Sequence, residues 1–210
     1  MLEHVNRKLR HVMESLIAIL LFSLQQIPVV FSWTFPMLFP LAAYFASLLW
    51  MDAQVLPLQI RILLFDQGLM VGRIVTIIGF ILFLIAFSQF VRHRGRFVTS
   101  GFYSVVRHPQ YLSLIVTAFG ISLMAREYGF GEAPNPLRLF PLDWFPWLIL
   151  VFGYVLLAFY EESRLTKEYT EYGQYKKEIP MLFPIPHNSR IQEVVMSVTI
   201  IILMQVILTL

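Results

Sequence analysis

Residues 69–91 read LMVGRIVTIIGFILFLIAFSQFV, and this stretch decides the class of fold. Between Ile74 and Phe87 it holds no charge, and it is bounded by Arg73 on one side and by Arg92-His93-Arg94-Gly95-Arg96 on the other. A helix of about 20 apolar residues spans the hydrocarbon core of a bilayer, roughly 30 Å thick. The stretch therefore predicts a transmembrane helix with a cationic end. The whole chain agrees: 58% of its 210 residues are hydrophobic and 14% charged, against roughly 45–50% and 25% in soluble domains. Mean hydropathy is +0.69. These values predict an integral membrane protein.

Working outward, Val12 to Val30 is a first expected span, too long for a signal h-region and followed by no small-x-small cleavage site. Phe35 to Trp50 is a second, joined to the first by a tight hairpin through Ser32-Trp33-Thr34. Residues 51 to 68 carry Asp52, Arg61 and Asp66 among apolar positions and read as an interfacial segment. Pro109 to Ala125 and Trp144 to Tyr160 are further spans, separated by a Gly- and Pro-rich loop from Arg126 to Asp143. Strong helix formers continue from Glu161 to Tyr175, predicting that one helix leaves the bilayer there. Val194 to Leu210 is a last span or an interfacial helix. The expected fold is all-α: a polytopic membrane bundle of about five to six transmembrane helices, with the helix after residue 144 extending into the cytosol. Residues 1–68 form an N-terminal hairpin and interfacial segment, 69–190 the core, and 191–210 a C-terminal helix.

The net charge of +3 lies in the loops, which argues for membrane topology and against nucleic-acid binding. Arg92, Arg94, Arg96 and Arg107 share one loop. Arg164, Lys167, Lys176, Lys177 and Arg190 share another, two spans later, so both face the cytoplasm by the positive-inside rule. Three spans before Arg92 would put Arg7, Lys8 and Arg10 outside, against that rule. Either the first hairpin does not fully cross or the segment around residues 55 to 66 dips in. Zero cysteines exclude disulfides and thiolate chemistry. His4, His11, His93 and His187 show no metal-ligand spacing, so no metal is expected.

Chemistry concentrates at Gly101-Phe102-Tyr103-Ser104-Val105-Val106-Arg107-His108-Pro109-Gln110-Tyr111-Leu112-Ser113. Pro109 suits the first position of a helix, and unpaired amides at a helix start beside Arg107 and His108 suit a carboxylate or phosphate. Taken alone, these residues read more readily as a topology anchor. Glu161-Glu162 changes the balance. It follows the apolar run ending at Tyr160, where a carboxylate needs a nearby cation, although Glu161 could simply pair along its own helix. An Arg-His helix start opposite a carboxylate pair fits a zwitterion with a separated positive centre. The tyrosines at 103, 111, 169, 172 and 175 read either as interfacial aromatics or as a wall over a cofactor ring.

These two segments, in this order, resemble the isoprenylcysteine carboxyl methyltransferase-like branch of the integral membrane methyltransferases, which also takes in phospholipid methyltransferases. That pattern has Gly-x-Tyr-x-x-x-Arg-His-Pro-x-Tyr opening a membrane helix. A Glu-Glu pair follows about fifty residues on, then Leu, aromatic, Tyr-x-x-Tyr and prolines, matched here by Glu161-Glu162, Leu165, Tyr169, Tyr172, Tyr175, Pro180 and Pro184. The resemblance covers roughly residues 70 to 186. It implies S-adenosylmethionine bound at the cytosolic face by Tyr103, Arg107, His108, Tyr111, Glu161 and Glu162. A lipophilic small molecule or lipid would be the methyl acceptor, with no metal and no nucleic acid involved, in what would be a prokaryotic inner membrane. Ser113 and Thr170 stand where the pattern commonly has Gly, one residue is missing before Tyr172, and Glu178 replaces a basic residue. Ser113 thus marks where the pocket is expected to differ. Two alternatives remain from the sequence. One is a sterol-reductase-like NADPH oxidoreductase, whose usual Arg-Asp pair and Lys-Tyr-Gly read here as Glu161-Glu162 and Glu168-Tyr169-Thr170. The other is a non-enzymatic transporter or assembly protein, which would place more polar residues inside the spans.

Overall fold

The computed structural model describes residues 35–47, 64–93, 97–127, 145–185 and 189–209. Among them there is no strand. The helices are α1 (Phe35–Ser47), α2 (Met70–Arg92), α3 (Pro109–Glu127), α4 (Phe145–Glu168), α5 (Tyr172–Glu178) and α6 (Arg190–Thr209), with a 3₁₀ turn at Gly101–Ser104. The expected span from Val12 to Val30, most of the interfacial segment and the loop from 128 to 143 lie outside the described residues.

Helix α3 is the centre of the bundle. Its Ile115, Ala118 and Ser113 are fully buried, and α2 crosses it in backbone contact. A Cβ on Gly120 would lie 2.5 Å from the backbone nitrogen of Thr76, and one on Gly79 would lie 2.6 Å from that of Thr117. Small residues at a crossing let two helices gain dispersion contacts along their backbones without a hydrophobic driving force. The threonines add no unsatisfied polar group there: Thr76 Oγ1 donates to Gly72 O and Thr117 Oγ1 to Ser113 O, each at 2.8 Å.

Aromatic side chains with polar tips fasten the other helices to this pair. Tyr44 of α1 donates to Ala118 O at 3.0 Å and meets Ser122 Oγ at 2.9 Å. Trp147 of α4 donates to Ile115 O at 3.2 Å, and Tyr154 donates to Met37 O of α1 at 3.0 Å. Each ring fills core volume while its one polar atom reaches a carbonyl or hydroxyl, so burial leaves nothing unsatisfied.

Two helices, Met70–Arg92 and Ile191–Leu208, are long and apolar enough to cross a membrane. Only 17% and 11% of their apolar windows are buried, unlike the core helix of a soluble protein. Their outward faces carry Ile74, Ile78 and Ile81 on α2 and Val195, Val198 and Ile202 on α6, all exposed. Phe35–Ser47 and Pro109–Ala125 are shorter apolar helices.

One expectation fails. The helix expected to run from Glu161 to Tyr175 without a break ends at Glu168 and restarts at Tyr172. Tyr169 N still donates to Leu165 O at 2.8 Å, but Tyr172 N donates to Tyr169 O at 3.2 Å, a tighter turn. Continued straight, the helix would carry Lys176 about 21 Å along the axis from Glu162. Turned back, it buries Tyr172 and brings Lys176 onto Glu162. The gain from burying an aromatic ring and pairing a buried carboxylate outweighs local helix propensity.

Candidate functional site

The site lies where the start of α3 meets the end of α4. His108 precedes α3, and its carbonyl accepts the bond from Leu112 N at 3.1 Å. The backbone of residues 107–108 runs beside that of 180–181: Arg107 N donates to Pro180 O at 2.8 Å and His108 N to Met181 O at 3.0 Å. These two amides, which precede the helix start at Pro109, are therefore spent on joining the two backbone segments. The 3₁₀ turn upstream rests on Gln89, whose Oε1 accepts from Phe102 N at 3.0 Å. Gly101 has φ +66° there, and a Cβ would come within 2.5 Å of the Gln89 amide. Glycine meets both demands.

A buried charge cluster occupies the junction. Arg107 places Nη1 2.6 Å from Glu162 Oε1 and Nη2 3.0 Å from Glu193 Oε1. Lys176 Nζ pairs with Glu162 Oε2. His108 places Nδ1 3.1 Å from Glu161 Oε2 and Nε2 3.6 Å from Glu162 Oε1. Tyr111 OH donates to Glu161 Oε2 at 2.9 Å. With His108 protonated, three cations face three carboxylates and the cluster is neutral. Burial acts against charge on His108, but its contacts with Glu161 and Glu162 win and raise its pKa above 6.5. Burial likewise opposes charge on Glu162. The His108 hydrogen bond, the Arg107 charge and the Lys176 hydrogen bond overcome it and hold the carboxyl at about 2.

Beside the cluster is a partly open pocket lined by Phe97, Tyr103, Arg107, His108, Gln110 and Glu161, among others. Its aromatic wall centres on Phe97, whose ring lies 5.0 Å from that of Tyr175, 5.3 Å from Tyr172 and 5.6 Å from Tyr169. Tyr175 OH donates to Tyr103 O at 2.6 Å, tying α5 to the 3₁₀ turn. Burial raises the Tyr103, Tyr172 and Tyr175 phenols, so all three are neutral donors at neutral pH. Several polar atoms without a hydrogen-bond partner belong to residues lining this one pocket: Tyr103 OH, Tyr172 OH, Arg107 Nε and Gln110 Nε2. Buried polar groups are nearly always satisfied, so a concentration of this kind marks a place for a polar ligand or water.

The sequence profile of the DUF1295 family, described as a protein of unknown function, matches residues 7–179. This chain belongs to the DUF1295 family. No curated protein and no solved structure matches it.

In this DUF1295 protein, five of the six residues expected to form the site line the pocket: Tyr103, Arg107, His108, Tyr111 and Glu161. Glu162 does not. Its side chain is 2% exposed and lies behind the wall, where it neutralises Arg107 and Lys176; it positions the site instead of lining it. Ser113 is fully buried, donates to Pro109 O at 2.6 Å and does not line the pocket. Sequence reading missed Gln110, Phe97, Lys176 and Glu193. Gln110 sits inside the Arg-His-Pro-x-Tyr run, and Glu193 is the lone acid in the first turn of α6, a signal that reads simply as a complement to the helix dipole. No group of three or more potential metal ligands occurs among the described residues.

Proposed function

We propose that this chain is a polytopic membrane methyltransferase that binds S-adenosylmethionine in the pocket at the α3–α4 junction, on the cytosolic face. It methylates a lipophilic or membrane-embedded small molecule through a carboxylate, thiol or amine. The observation that carries the reading is the set of orphaned polar atoms around a pocket whose charges are already balanced. Tyr103 OH, Tyr172 OH, Arg107 Nε and Gln110 Nε2 offer hydrogen bonds to a polar ligand, and the rings of Phe97, Tyr172 and Tyr175 offer faces that favour a cation. Glu161 is the carboxylate on the wall. That combination suits a ligand that is zwitterionic with an additional positive centre.

The bound donor would supply an electrophilic methyl group on a sulfonium. Transfer breaks the methyl–sulfur bond as the acceptor's lone pair forms the new one, and S-adenosylhomocysteine leaves. The protein's part is to hold donor and acceptor in line and to exclude water, which favours a step that consumes charge. For an amine acceptor the released proton has Glu161 within the pocket to receive it.

A second reading, the one the sequence leaves open, is a membrane sterol-reductase-like NADPH oxidoreductase. The charge balance argues against it. A nicotinamide dinucleotide carries several phosphate charges, whereas the cations lining the pocket, Arg107 and His108, are already paired with carboxylates, and uncompensated anions are costly there.

Titration of the purified protein in micelles with S-adenosylmethionine and, separately, with NADPH discriminates the two. Saturable binding of the first, weakened in His108→Ala and Glu161→Ala, is expected. Incubation with methyl-labelled donor and lipid extract, read by mass spectrometry, should then reveal a labelled lipophilic product. Binding of NADPH alone would overturn the proposal in favour of the reductase.

A further inference from the structure

Glu193 stands outside the matched residues 7–179, yet α6 delivers it to the heart of the site. Its side chain is 10% exposed. Oε1 accepts from Arg107 Nη2 at 3.0 Å and also from the backbone N–H of Met181, the residue whose carbonyl receives His108 N. A single oxygen thus fastens both sides of the backbone pairing that presents Arg107 and His108. It has a second consequence. Glu162 already answers Arg107 Nη1 but is shared with Lys176, so without Glu193 the cluster would carry an uncompensated cation directly behind the pocket wall.

We infer that Glu193 is a positioning residue that sets the charge of the methyl-donor pocket, cancelling Arg107 so that the site accepts a sulfonium. The inference rests on the methyltransferase reading and deepens it: the C-terminal helix is part of the donor site. S-adenosylmethionine and S-adenosylhomocysteine differ by one methyl group and one positive charge, so the ratio of their affinities reports the local potential, whereas a purely structural role would weaken both alike.

The test is titration of the full-length protein in micelles with each ligand. In Glu193→Gln the hydrogen-bond acceptor is kept and the charge removed, and the preference for S-adenosylmethionine over S-adenosylhomocysteine should fall by on the order of tenfold. Glu193→Asp, which keeps the charge, should hold the wild-type ratio even where both affinities drop. Should Glu193→Gln alone not be recovered folded, Glu193→Gln/Lys176→Gln compared with Lys176→Gln isolates the same charge in a cluster without the excess cation. An unchanged ratio in wild type and variants that bind both ligands overturns this inference alone. Wild-type protein that binds neither ligand overturns the methyltransferase reading and this inference with it.

Discussion

The imidazole of His108 lies parallel to the phenol of Tyr111, with centroids 5.2 Å apart and 5° between the planes, and both rings direct a polar atom to the same oxygen, Glu161 Oε2. The stack continues to Tyr154, again at 5.2 Å. One carboxylate on the pocket wall is thereby oriented by two rings that the core itself holds in place.

Removing the Tyr111 hydroxyl while keeping its ring separates orientation from packing. Tyr111→Phe should leave the fold intact and cost about 0.5–1.5 kcal/mol in stability, the worth of one hydrogen bond. On the proposed function, affinity for S-adenosylmethionine should fall severalfold as Glu161 loses a restraint, measured by ligand titration beside thermal unfolding. Wild-type affinity would show that Glu161 needs no help from Tyr111.

Glu162 is the hinge of the buried cluster. Glu162→Ala leaves Arg107 and Lys176 short of a partner and should destabilise the protein by about 3–5 kcal/mol. The Lys176→Met change should cost much less in the Glu162→Ala background than in wild type. A double-mutant cycle on unfolding in detergent measures this coupling, and additive effects would contradict the pairing.

The two perturbed groups of the cluster, both beyond the apolar part of α4 or before α3, give stability opposite pH limits. The His108 pKa is raised above 6.5 in the folded protein, so its contribution is complete below pH 6.5 and is lost as pH rises through the folded value. Glu162 is lowered from 4.5 to about 2, so its contribution is complete above pH 4.5 and is lost as pH falls towards 2. Thermal unfolding followed across pH should show a plateau between these limits. His108→Gln should remove the alkaline fall and also shrink the acid one, because His108 is among the groups that hold the Glu162 carboxyl low.

The crossing of α2 on α3 leaves no room for a side chain at Gly120. Gly120→Ala should destabilise the protein by about 1–3 kcal/mol, because the obstruction is the backbone of Thr76 and cannot rotate away. Gly120→Val should prevent recovery of folded protein. Gly173→Ala is the control, since its Cβ meets nothing within 4 Å. Equal behaviour of the Gly120 and Gly173 variants would contradict the close crossing.

Much of this molecule is legible in the order of its residues. The long apolar run of α2 and the Pro109 start of α3 follow from hydropathy and from proline's missing donor, both local properties. The two chemical segments, around Arg107-His108 and Glu161-Glu162, announce themselves as charges at the ends of apolar runs, and they do meet. What pairs with what was not legible. Sequence spacing offers Glu161 to its own helix and Arg107 to a ligand. The structure gives Glu161 to His108 and Tyr111, and Arg107 to Glu162 and Glu193, because burying a cation is tolerable only when carboxylates close around it. Glu193 lies 86 residues from Arg107, and the turn at residues 169–171 that returns Lys176 to Glu162 runs against helix propensity. Such choices depend on which surfaces become neighbours once the helices pack, and no local pattern carries that information.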